Sequence, residues 1–223
     1  MEYMLDSLAI DAITKWNRLI PLAGVTSNPT IARKEGGVAF FEHLRKVRSL
    51  VGDSASIHVQ VIAQEYEGIL SDAARIRQEC GQATYIKVPV TTEGLAAIQT
   101  LKKEGYLVTA TAIYTAFQGL LAIEAGADYI APYFNRMENL NMDPETVLRQ
   151  LSQVIEREKK NCIILAASFK NTAQVIRAIA AGAQAVTLSP DILEAGFSLS
   201  SIQEAVDAFG RDWEATYHRK TLD

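Results

Sequence analysis

At 223 residues, with 48% of them hydrophobic and a formal net charge of −4, the chain can bury a sizeable core in one or two domains. Its basic residues are dispersed, which argues against a nucleic-acid-binding face or a polybasic membrane patch. No apolar run nears the ~18 residues that span a bilayer, and Glu2, Asp6 and Asp11 interrupt the N-terminal apolar residues in a way foreign to a signal peptide. Cys80 and Cys162 stand far apart, and His43, His58 and His218 form no His-x-His or Cys-x-x-Cys pair. The expectation is a cytoplasmic protein with free thiols and no zinc site.

In chain order, residues 1–5 are a short apolar start ending at Asp6, and Ser7 is a fair N-cap for a helix carrying Leu8, Ile10, Ile13 and Trp16. Residues 22–25 read as a strand that runs into a turn-rich loop, Thr26-Ser27-Asn28-Pro29-Thr30. A helix is expected at 38–51. Residues 56–62 alternate as a strand with Ile57, Val59 and Val61 on one face. Residues 64–80 are helical, and 83–90 form the next strand. A helix over 95–103 closes at Gly105. The strand 106–112, the helix 114–124 and the short strand 128–131 follow. A polar loop then runs from Pro132 to Asp143, and Pro144 suits the first position of a helix through 159. The strand 161–167, the helix 172–181 and the strand 184–188 complete the pattern before a long helix at 200–218.

Eight strands, each followed by helical sequence, argue a parallel sheet. With right-handed crossovers the simplest arrangement is a closed (β/α)8 TIM barrel, one domain over 1–223 with a long C-terminal helix. The alternative is an open doubly wound sheet, but no Gly-x-Gly-x-x-Gly follows the first strand.

Within 83–90 one lysine, Lys87, interrupts a β-branched apolar run. Such a run is buried on both faces in a parallel sheet. Burial disfavours the charged amine and leaves a nucleophile for carbonyl carbon. The plainer reading is an ammonium that snorkels out at the strand end. In a barrel of this kind, chemistry sits at the C-terminal ends of the strands. Asp6, Thr26, Asn28, Gln60, Lys87, Thr111, Tyr133, Ser168 and Lys170 all fall there. Each polar residue alone is cheap at a solvated strand end. An acid, an amine and hydroxyl-binding groups together are what aldol chemistry needs.

Four blocks carry a specific resemblance. They are Tyr3-Met4-Leu5-Asp6; the run from Leu22 to Pro29; Ile86-Lys87-Val88-Pro89 with Glu93-Gly94-Leu95-Ala96-Ala97; and Ala166-Ala167-Ser168-Phe169-Lys170. In order and spacing the chain resembles the small transaldolase family, in its fructose-6-phosphate aldolase branch, over essentially its whole length. The resemblance implies a class I aldolase without metal or organic cofactor. It would cleave fructose 6-phosphate reversibly to dihydroxyacetone and glyceraldehyde 3-phosphate. Lys87 would form the Schiff base, Asp6 would orient it, and Thr26 and Asn28 would serve the donor. Thr111 would help hold a proton-shuttling water. Arg136, Ser168 and Lys170 would bind phosphate.

Gln60 and Tyr133 stand where transaldolases of this family carry glutamate and phenylalanine, which places the chain with the aldolases. A phenol can pass a proton through that water and let the donor go as free ketone. Packing of Tyr133 against Pro132 and Phe134 is the plainer alternative. Ser7, Ser27, Asn171-Thr172 and Ser189-Pro190 depart from the usual family pattern. Two other functions stay open. One is a transaldolase that moves a dihydroxyacetone unit between sugar phosphates of the pentose phosphate pathway. The other is a weakly active sugar-phosphate-binding or scaffolding protein. Leu199, Ile202, Val206, Phe209, Trp213 and Tyr217 form one apolar stripe on the last helix. It covers the protein's own barrel or a neighbouring subunit, and the family's pentamers and decamers favour the second.

Overall fold

The computed structural model describes residues 1–37 and 39–223. Strands β1 (Glu2–Asp6), β2 (Gly24–Thr26), β3 (Ser56–Gln60), β4 (Thr84–Pro89), β5 (Leu107–Ile113), β6 (Tyr129–Pro132), β7 (Ile163–Ala166) and β8 (Ala185–Leu188) pair in parallel and in sequence order. β8 returns to β1, with Glu2 opposite Ala185 and Leu5 opposite Leu188, and closes the barrel. This is the (β/α)8 architecture that the alternation of strand and helix predicts.

The helices are α1 (Ile10–Leu19), α2 (Pro29–Lys34), α3 (Phe40–Val51), α4 (Tyr66–Cys80), α5 (Thr92–Lys103), α6 (Ala116–Glu124), α7 (Phe134–Asn139), α8 (Pro144–Glu158), α9 (Thr172–Ala180), α10 (Pro190–Phe197) and α11 (Ser200–Tyr217). Strand residues such as Val25, Ile57, Ile86, Val88 and Ile130 face outward and share one core with helix residues such as Trp16, Leu44, Ile69 and Leu148. A separate, smaller cluster of Met4, Tyr129, Leu165 and Ala185 fills the barrel interior. Neighbouring residues of a strand therefore serve two different cores. Gly24 lets β2 approach β3, since a Cβ there would lie 2.2 Å from the Ser56 hydroxyl oxygen.

Four local expectations change. α1 starts at Ile10 rather than after Ser7, because the Ser7 hydroxyl accepts the Ala9 N–H (3.1 Å) in a turn ahead of the helix. The loop expected after β2 contains α2: Asn28 caps it by accepting the Ile31 N–H (3.0 Å), and Pro29 opens it. The loop expected after β6 contains α7, anchored by buried Phe134 and Met137 one turn apart. The helix expected at 38–51 begins at Phe40, and Val38 lies outside the described residues. No helix among the described residues is long and apolar enough to cross a membrane.

Candidate active site

Lys87 lies between Ile86 and Val88, both of which belong to the outer core, so its own side chain turns into the barrel. It is only 4% exposed, well below a snorkelling lysine. No hydrogen bond or ion pair holds its Nζ among the described residues. Burial keeps the amine below the ordinary lysine value, against the opposing pull of Asp6. The result is an amine with its lone pair more available than that of a surface lysine.

Asp6 ends β1 and is in register with Thr26 on β2. The Thr26 hydroxyl donates to Asp6 Oδ1 at 2.6 Å and lies 2.6 Å from the Thr187 hydroxyl on β8. Burial pushes the Asp6 carboxyl above the usual carboxylate range, while Lys87, the Thr26 bond, Lys34 and Arg136 pull it back. Thr26 is fully buried, and its hydroxyl is engaged in aiming that carboxylate.

On β5 the register slips between Ala110 and Ile113, and Ala112 takes a left-handed conformation (φ 58°). Such a bulge re-aims the neighbouring side chain. Thr111 is thereby brought 3.0 Å from the Tyr133 hydroxyl. The Tyr133 ring has partners beyond its chain neighbours Pro132 and Phe134. Its ring meets Tyr114 edge-on at 5.7 Å, and the Arg136 guanidinium lies over it at 4.6 Å. Phe134 instead packs on Phe169. Burial raises the Tyr133 phenol above its usual value, and the Thr111 bond and Arg136 oppose that shift. Gln60, in register with Lys87, has its Oε1 buried without a partner among the described residues.

A cavity of about 360 Å³ opens over these groups. It brings together Asp6, Asn28, Lys87, Tyr133, Arg136, Ser168 and Lys170, seven of the ten residues singled out in the sequence. Thr26 and Thr111 stand behind it, fully buried. Gln60 lines an adjoining cleft with Pro29, Ile62 and Pro89. Ser168 is also left-handed (φ 64°), and its carbonyl accepts the Asn135 N–H at 2.8 Å. Ser168 thus lines the cavity in a strained conformation, and Ala112, the other strained strand-end residue, adjoins Thr111; such strain is typical of functional sites. Arg136 reaches the Tyr114 hydroxyl at 3.3 Å, which steadies its guanidinium toward the cavity.

Sequence reasoning missed Lys34, Asn135, Asn139 and Tyr114. The first three line the cavity, and they come from α2 and α7, the two helices it read as loops. Capping signals at Asn28-Pro29 were the available clue.

The C-terminal end of the parallel barrel thus holds a buried amine, an acid and three cations around one cavity. The chain belongs to the transaldolase/fructose-6-phosphate aldolase family, whose profile matches residues 3–221. It is 62% identical over 222 residues, covering 100% of both chains, to a protein of Streptococcus pneumoniae (strain ATCC 700669 / Spain 23F-1) named probable fructose-6-phosphate aldolase.

Proposed function

We propose that this protein is a class I aldolase that cleaves fructose 6-phosphate reversibly to dihydroxyacetone and glyceraldehyde 3-phosphate. The observation that carries the reading is Lys87, a buried and unpartnered amine beside Asp6 at the floor of a cavity with a cationic mouth. Lys87 Nζ attacks the C2 carbonyl, and loss of water leaves an iminium. The C4 hydroxyl gives up its proton, the C3–C4 bond breaks, and its electrons move into the iminium to form an enamine. The aldehyde phosphate leaves. C3 then takes a proton, and water hydrolyses the iminium to free dihydroxyacetone and Lys87.

Asp6, aimed by Thr26, orients the amine and receives a donor hydroxyl, with Asn28 beside it. Tyr133 and Thr111, with the unpartnered Oε1 of Gln60, hold the water that passes the protons. Arg136, Ser168 and Lys170 take the phosphate. These steps call on no metal ion and no organic cofactor, and rates are expected to survive a strong chelator. The protein would work in the cytoplasm as a homo-oligomer, a pentamer or decamer. In support, α11 has no buried residue, and Ile202, Val206, Phe209 and Tyr217 stand exposed along it. A monomer-sized species in light scattering at micromolar protein would contradict the assembly.

The test of the reaction is incubation with fructose 6-phosphate and no acceptor, with free dihydroxyacetone quantified. Its steady release is the expected result. If carbon moves only once an aldose phosphate is added, the protein is a transaldolase.

A further inference from the structure

Three cations converge on the mouth of the cavity from separate elements: Lys34 from the last turn of α2, Arg136 from α7, and Lys170 from the loop before α9. Asp6, at the floor, is the one carboxylate among the lining residues. Glu138 shares α7 with Arg136 but is spent on Arg177, at 2.7 Å, and on the Gln174 amide. Among the described residues none of the three mouth cations makes an ion pair. Like charges gathered without a counter-charge repel one another, and an arriving anion relieves that repulsion.

Lys34 owes its place to the cap on α2. Asn28 starts the helix at the cavity wall, and six residues later Lys34 is its last member. Side chains of a helix lean back toward its N-terminus. The four-carbon stem of Lys34 is thereby directed back over the mouth, from the β2 side. Arg136, Ser168 and Lys170 stand on the β6–β7 side. Arg136 is a planar fork already steadied by Tyr114 and the Tyr133 ring, whereas Lys34 is a movable point charge.

We propose that Lys34 is a specificity-determining residue that closes on the substrate phosphate opposite Arg136 and Ser168, and so selects phosphorylated over unphosphorylated aldehydes. This rests on the aldolase reading for the substrate class. In the reverse reaction, dihydroxyacetone is joined either to glyceraldehyde 3-phosphate or to glyceraldehyde, and kcat/KM is measured for both. Lys34→Ala is expected to lower the phosphorylated-to-unphosphorylated ratio by roughly tenfold, through KM for the phosphorylated aldehyde. Lys34→Arg, which keeps the charge, is expected to retain the ratio, and Lys34→Glu to lower it further.

An equal fall with both aldehydes after Lys34→Ala would overturn the proposal, because Lys34 would then act through Asp6 or the fold. An unchanged ratio would overturn it as well. Arg136→Ala separates the two levels of the argument. If it collapses the ratio and Lys34→Ala does not, the role of Lys34 alone fails. If neither changes the ratio, the phosphate-binding reading of the mouth fails with it.

Discussion

The lower half of the barrel interior satisfies its polar groups, whereas the upper half leaves two of them open. Below, His58 is fully buried, and both of its ring nitrogens are partnered, Nδ1 with the Thr109 hydroxyl at 2.8 Å and Nε2 with the Ser56 hydroxyl at 2.9 Å. The imidazole stacks on Tyr85 at 4.5 Å, and the Tyr129 hydroxyl donates to Glu2 at 2.9 Å. Burial and the nearby Lys87 hold His58 well below its usual value, so it stays neutral. Above, the Lys87 amine and Gln60 Oε1 have no hydrogen-bond partner among the described residues, and Ala112 and Ser168 carry left-handed strain. An open buried polar group costs about 1–3 kcal/mol. Within the barrel interior that cost falls at the end that faces the cavity, where a bound substrate offsets it; outside the interior, the Trp16 indole Nε1 is also buried without a partner among the described residues.

The largest effect is expected at Lys87. Lys87→Met is expected to abolish aldol cleavage, by roughly 10³-fold or more, while far-UV circular dichroism and assembly stay unchanged. A variant that kept a tenth of the activity would remove the amine from the chemistry. The next effect is at Tyr133→Phe. Removing the phenol while keeping the ring is expected to slow release of free dihydroxyacetone by roughly 10²-fold. Transfer to an added aldehyde should fall less, because the enamine then meets a carbonyl instead of a proton. Equal losses in both assays would contradict the proton-relay role.

In the lower half, His58→Leu is expected to cost about 1–3 kcal/mol in urea unfolding, since the Thr109 hydroxyl loses its partner inside the barrel. Activity per folded protomer should change far less than after either upper-half substitution. A large loss of activity at unchanged stability would erase the distinction between the layers. The subtlest effect concerns pH. Cleavage requires the neutral amine, so kcat/KM should rise with pH through an ionisation below the usual ~10.4 of lysine. Asp6 raises the Lys87 value, so Asp6→Asn should lower it and move that limb toward acid, read from the pH dependence of residual activity. An unmoved limb would mean that the carboxylate does not act on the amine.

The barrel was legible because eight apolar strands alternate with amphipathic helices, and Lys87 because it alone breaks an apolar run. His58 was less legible. In β3 the apolar face of Ile57, Val59 and Val61 suggests a polar outer face, yet in a closed barrel the opposite face is the interior. α2 and α7 have six residues each, too few to display a helical period, and Lys34 was lost with α2. The partners of Tyr133 depended on the β5 bulge and on Tyr114, the first residue after β5. Nothing in the residues around Tyr133 announces either.

The most direct test of the central claim is reduction with borohydride in the presence of dihydroxyacetone, followed by peptide mass mapping. A single reduced adduct is expected on the peptide containing Lys87, absent in Lys87→Met. A folded, assembled protein that forms no adduct, or forms it on another lysine, would contradict it.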